Sequence, residues 1–261
     1  MQILAPTATH FEPTAAGAVV VCGSHGGAYP GVLVSKAGIR AVILNDAGVG
    51  LDEAGIASLS LLDRYGVAAA TASHMSCRIG DAHDMLARGV ISHINMHAAQ
   101  LGLLTGMGVN EAACLLETAR PPSGIAPDMG ESRHVEQLSK TRLLLVDSAA
   151  LVDEGDDGAI VITGSHGGLV DGDPRKALRA NAKLAAFNDA GIGIDKCGIA
   201  RLPALDDRGV AAVTVSCFSA RIGNARSTLE TGCISATNSR AKLMGIREGD
   251  ALAAVLANWG G

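Results

Sequence analysis

Two short runs carry the residue types of a proton-handling site, and they are nearly the same run: Gly23-Ser24-His25-Gly26-Gly27 and Gly164-Ser165-His166-Gly167-Gly168. Each follows a β-branched stretch, Val19-Val20-Val21 or Ile160-Val161-Ile162, so each begins where a buried strand is expected to end. Imidazole titrates near neutral pH, a serine hydroxyl is a potential nucleophile, and glycine leaves backbone N–H groups open to an oxyanion. His25 or His166 is therefore expected to act as general base on water or on the adjoining Ser24 or Ser165. The N–H groups of Gly26, Gly27, Gly167 and Gly168 would stabilise the developing charge. The plainer alternative is a tight turn whose histidine caps a neighbouring strand.

Three further polar sets recur in the same order. Asn45-Asp46-Ala47-Gly48 matches Asn188-Asp189-Ala190-Gly191, Ser76 and Arg78 match Ser219 and Arg221, and Ser92 and Asn95 match Ser235 and Asn238. Asp46 and Asp189 are expected to orient or deprotonate the imidazoles or to act directly as base, although Asn-Asp before glycine also favours turns and helix caps. Arg78 and Arg221 suit bidentate capture of a substrate carboxylate or, alternatively, an ion pair between the two halves. Asn45, Ser76, Asn95, Asn188, Ser219 and Asn238 complete the expected substrate-binding set. Four first-half histidines, His74, His83, His93 and His97, stand opposite Cys217, Arg226, Ala236 and Arg240. His93 and His97 are read as one helix face and as a potential pair of metal ligands without a third.

The elements that must position these residues also recur. Apolar runs at 40–44 and 184–187, and at 67–72 and 210–216, predict strands; 54–65 and 197–208 predict helices. Continuous β-branched runs between helical segments imply an α/β protein: a tandem duplication of a mainly parallel, helix-covered sheet unit, residues 1–119 and 143–261. Residues 120–142, with Pro121, Pro122, Gly124, Pro127 and Gly130, are expected to be a linker and connecting helix. Two such units are expected to pack about a pseudo-two-fold axis, their Ser-His turns converging in one crevice or opening into two pockets. Leu252, Val255, Leu256 and Trp259 are expected to cover a core edge or to form a contact in a homo-oligomer.

This order of motifs resembles the caspase–haemoglobinase type of cysteine peptidase, in which one strand ends in His-Gly and the next core strand ends in a cysteine turn. Ser24-His25-Gly26 and Ser165-His166-Gly167 resemble the histidine turn, and 45–48 and 188–191 occupy the place of the cysteine turn. The resemblance implies an α/β sheet with its site at the strand ends. Neither turn holds a cysteine, and Ala47 and Ala190 stand there instead, so peptidase activity does not carry over.

Composition narrows the partners. A net charge of -5 without a run of Lys or Arg argues against nucleic acid, and 2% aromatic residues leave no stacking platform. No apolar run reaches membrane length and no leader pattern is visible, so a cytoplasmic protein without a membrane partner is expected. Six cysteines without a CxxC pair read as reduced thiols. The expected function is a small-molecule hydrolase, amidohydrolase-like, acting on an amide, cyclic imide or lactam that bears a carboxylate, with no organic cofactor. A divalent metal bridging His25, His166, Asp46 and Asp189 stays open, as do a lyase or isomerase moving a proton next to a carbonyl and a non-catalytic module binding a small anion.

Overall fold

A computed structural model describes residues Met1–Asn258; Trp259 lies outside the described residues. The chain is α/β with two mainly parallel sheets. The first holds β1 (Gln2–Ala5), β2 (Val19–His25), β3 (Ala41–Asn45), β4 (Ala68–Ala72) and β5 (Ile91–Ile94) side by side, parallel except for β5. The second holds β6 (Arg133–Leu138), β7 (Thr141–Val146), β8 (Ile160–His166), β9 (Leu184–Asn188), β10 (Ala211–Val215) and β11 (Ile234–Thr237). There β7 to β10 are parallel and both outer strands run antiparallel.

Burial on both faces explains the unbroken apolar runs. In the first sheet, Val20, Val42 and Leu44 face α1 (Ala28–Lys36) and α2 (Ser58–Asp63). Val19, Val21, Ala41 and Ile43 face α3 (Ala82–Arg88), α4 (Met96–Gln100) and α5 (Val109–Leu116). In the second sheet, Val161, Ala185 and Phe187 pack on α6 (Arg201–Asp207). Leu145, Ile162 and Val213 pack on α7 (Ala225–Thr231), α8 (Ser239–Leu243) and α9 (Leu252–Ala257). Leu252 and Leu256 belong to that core and Val255 packs against it. After β8, where the first half has α1 after β2, the chain forms short 3-10 turns at Val170–Gly172 and Pro174–Lys176, because Asp171-Gly172-Asp173-Pro174 opposes a regular helix.

Two expectations are corrected. No connecting helix lies within 120–142: residues 120–132 are irregular because three prolines remove N–H donors, and Arg133–Leu138 instead pairs with the edge of β7. His93 and His97 do not share a helix, because His93 lies on β5 and His97 on α4. Among the described residues, no helix is long and apolar enough to cross a membrane.

Candidate functional site

The two Ser-His turns are shaped by a backbone that crosses them. A Cβ on Gly23 would lie 2.6 Å from the Pro6 carbonyl oxygen and 2.8 Å from the Gly80 carbonyl carbon, so only glycine fits under the crossing. Gly80 N–H donates to Gly23 O at 2.8 Å, and Gly223 N–H donates to Gly164 O at 2.7 Å. Here β2 loses register with β3, and β8 with β9, until His25 meets Asn45 and His166 meets Asn188. Ser24 Oγ accepts from Ala8 N–H at 2.9 Å, and Ser165 Oγ accepts from Ala149 N–H at 2.8 Å.

The imidazoles are held by the glycines after them. Gly27 N–H donates to His25 Nδ1 at 3.1 Å, and Gly168 N–H donates to His166 Nδ1 at 3.2 Å. A neutral ring that accepts at Nδ1 carries its proton on Nε2. Burial pushes His25 down to about 4. It drives His166 well below the ordinary histidine value, with the Arg201 charge and His25 adding to the effect. Both rings are therefore neutral at pH 7. Neither Nε2 has a hydrogen-bond partner among the described residues, and neither is a sealed, unsatisfied atom. This corrects the expected role of general base, because a glycine amide occupies the lone pair that a base would use.

Ser24, His25, Ser165 and His166 line one cavity of about 850 Å³, a size that suits a small molecule. Three further wall residues carry chemistry. Arg201 is 5% exposed; its Nε donates to Gly168 O at 2.9 Å, its Nη1 donates to Ala177 O, and the guanidinium lies 5.0 Å from the Phe187 ring centroid. Burial brings Arg201 down to about 10. Glu131 is raised by burial and by Asp147, against the Ser148 and Tyr29 hydroxyls beside it. Tyr29 is raised by its own burial and then by Glu131. All three escaped the sequence reading. The available signal was a difference between the copies, Gly198-Ile199-Ala200-Arg201 against Gly55-Ile56-Ala57-Ser58. Glu131 lies in a stretch read as linker.

The other expected site residues are engaged elsewhere. Asp46 Oδ1 accepts from His74 N–H at 2.9 Å, from the His74 ring at 2.8 Å and from Gly48 N–H at 3.1 Å. Burial opposes ionisation of Asp46, yet the His74 bonds hold its carboxyl below the ordinary value. Asp189 Oδ1 accepts from Gly191 and Cys217 N–H, each at 2.9 Å. Neither aspartate is bonded to His25 or His166, and neither lines the cavity. Instead they clamp loops in which Ala47, Val49, Ala190 and Ile192 all have positive φ, a costly conformation for such side chains. These loops cross so closely that a Cβ on Gly48 would lie 2.8 Å from Gly191 Cα.

Arg78 pairs with Asp195 at 2.8 Å and Arg221 with Asp52 at 2.6 Å, so the guanidinium groups join the two halves and are not presented to the cavity. Gly26 N–H donates to Asn45 O at 2.7 Å and Gly167 N–H to Asn188 O at 2.8 Å. With Gly27 and Gly168 bound to the rings, none of the four glycine N–H groups is left for an oxyanion. Asn45 and Asn188 each accept from the alanine two residues on at 2.9 Å. Ser76 and Ser219 donate to Ser73 O at 2.8 Å and Ser216 O at 2.9 Å. Asn95 ties Ala69 N–H to Val67 O, and Asn238 ties Ala212 N–H to Val210 O. His97 bonds Asp63 at 2.9 Å and His93 bonds Ser92 at 3.1 Å. Among the described residues, no group of three or more His, Cys, Asp or Glu side chains is arranged to hold a metal ion.

Comparison with protein-family models, curated proteins and solved structures finds no match, so function is argued from this geometry.

Proposed function

We propose that the chain is an enzyme moving a proton next to a carbonyl group of a small molecule, a lyase or isomerase acting in the cavity that both Ser-His turns line. One observation carries this choice: each imidazole accepts a glycine N–H at Nδ1, which makes Nε2–H a fixed neutral donor. Such donors suit a substrate oxygen that gains negative charge as the neighbouring carbon loses its proton. The Glu131 carboxylate takes that proton, its burial-raised affinity suiting the task, with the Tyr29 hydroxyl at its side. The electron pair of the broken C–H bond moves onto the carbonyl oxygen, which His25 and His166 hold. Return of the proton to a carbon conjugated with this enolate gives an isomer, and collapse of the enolate with expulsion of a group, carrying its bonding pair, from the carbon next to the deprotonated one gives elimination. In this proposal the chain is a tandem duplication about a pseudo-two-fold axis near the Gly48–Gly191 crossing, and each unit supplies one imidazole.

Hydrolysis of a carboxylate-bearing amide or imide would use Ser24 or Ser165, which also line the cavity. Their hydroxyls would need a proton acceptor that His25 and His166 do not offer in this tautomer. The test is deuterium uptake from D₂O, followed by proton NMR, into a panel of 2-oxo and 3-oxo acids beside a panel of cyclic imides. Exchange next to a carbonyl, slowed at least about 100-fold in Glu131→Gln, is expected. Ring opening without exchange, lost in Ser24→Ala or Ser165→Ala, would replace proton transfer by hydrolysis. Binding without either reaction would leave a small-anion module.

A further inference from the structure

We propose that Arg201 holds the carboxylate of a small monoanion in this cavity, making it the specificity-determining residue and placing the ligand's charged end in the second unit. The assignment rests on the proposal above only in taking the cavity as a small-molecule site; it does not depend on the reaction.

Arg201 is a buried cation whose carbonyl partners satisfy N–H groups without neutralising charge. Its Nη2 has no acceptor among the described residues, and that atom is not a sealed, unsatisfied one. Burial alone acts on this guanidinium, with no carboxylate offsetting it. Of the other basic groups on the wall, Arg175 is paired with Asp173 at 2.8 Å and Lys176 with Asp171 at 2.7 Å, while Arg179 is exposed to water and donates to Ala150 O. The acidic wall residues are no counter-ions to it either: Asp147 accepts from Ser132 and from Ala225 N–H, and Glu131 lies against Tyr29 and Ser148. An unpaired charge retained in a cavity wall is explained if a ligand supplies the opposite charge.

Stoichiometry selects the anion. The wall offers one buried positive charge and two neutral N–H donors, from His25 and His166, and the electrostatic influence of Arg201 and His25 on His166 puts the three in one cluster. One buried charge balances a carboxylate, whereas the second charge of a phosphate dianion would face only the exposed, water-screened Arg179. Planar guanidinium also matches carboxylate geometry. The matching position of the first half holds Ser58, which is sealed away and does not line the cavity, so the buried charge stands on one side only and fixes which way a ligand lies.

The experiment titrates the full chain, labelled at the histidine Cε1, with acetate, pyruvate, acetone and inorganic phosphate at pH 7.5 and constant ionic strength. Saturable shifts of the His25 and His166 ring signals are expected with acetate and pyruvate and not with acetone. Arg201→Gln should weaken binding at least tenfold, and Arg201→Lys should restore most of it. Absence of a saturable shift with every probe, phosphate binding more tightly than both carboxylates, or an unchanged affinity in Arg201→Gln would each overturn the proposal. Should Arg201→Gln not fold, the Arg201→Lys affinity and the wild-type ranking of carboxylate over phosphate still decide. Carboxylate binding without deuterium exchange would remove the proton-transfer function and leave this site standing. Exchange with an unchanged KM in Arg201→Gln, together with no response to acetate or pyruvate, would do the reverse.

Discussion

The loop crossing and the cavity both draw on the two halves of the chain but use the recurring motifs differently. At the crossing the contacts come in matched pairs: Leu51 N–H donates to Cys217 O at 2.8 Å, Ile194 N–H donates to His74 O at 2.9 Å, and Arg221–Asp52 answers Arg78–Asp195. The cavity joins the matched Ser24-His25 and Ser165-His166 to residues that the two halves do not share: Tyr29, Glu131 and Arg201. A backbone constraint that each half must satisfy is met by the same residue twice. On the proposed function, a substrate with distinct ends needs unlike walls, and its chemistry falls where the two halves diverge. Repetition of a polar residue is therefore evidence of shared geometry, and it becomes evidence of chemistry only when the side chain opens onto a cavity.

If that division is right, variants of the two regions separate activity from stability. Glu131→Gln is expected to lower proton exchange by about 100-fold or more with little change in melting temperature, read by NMR and calorimetry on one sample. Asp46→Ala should do the opposite first. Two backbone N–H groups and the His74 ring lose their acceptor, at a cost of about 3 to 5 kcal/mol by denaturant unfolding. An Asp46→Ala protein of wild-type stability and no exchange would break the comparison, since the carboxylate would then belong to the reaction.

Acid should sharpen it. His25 titrates at about 4 in the folded chain and near the ordinary 6.5 when unfolded, so between these values the unfolded state binds the extra proton. The stability that depends on a neutral ring is complete above pH 6.5 and is lost as pH falls toward 4. It amounts to roughly 2 to 3 kcal/mol for His25 after allowance for its exposed edge. His166 shifts in the same direction. His25→Gln should flatten this part of the profile. An unchanged slope between pH 6.5 and 4 would mean that the ring is not held neutral by burial.

Much of the scaffold was legible because it follows from local pattern. Runs such as Val42-Ile43-Leu44 and Ala212-Val213-Thr214 can be buried on both faces only as inner strands, and Gly-Ser-His-Gly-Gly marks the ends of β2 and β8. The partner of each side chain was not legible. Asp46 is next to Asn45, which pairs in register with His25, yet its carboxylate turns to His74, far along the chain and brought near by the end of β4. Arg201 looked like one more helix residue, and its missing counter-ion exists only in three dimensions. Residues 133–138, polar except for Val135 and Leu138 and so without strand alternation, became a strand because β7 offered an open edge, a tertiary fact.

The smallest effects are expected at the arginines that the sequence nominated for substrate. Arg78 and Arg221 are about half exposed, and pairs of that kind are screened by water and salt. Asp195 accepts Arg88 at 2.9 Å as well as Arg78, while Asp52 is bonded to Arg221 without a second arginine among the described contacts. Arg78→Met therefore leaves its partner engaged and should shift the melting midpoint by less than Arg221→Met, each by about 2 °C or less, with the difference fading at 0.5 M salt. Neither should change KM, whereas Arg201→Gln should raise it at least tenfold. A tenfold rise in KM for Arg78→Met or Arg221→Met would mean that this guanidinium reaches the ligand after all, and the loop crossing would then have to be counted as part of the site.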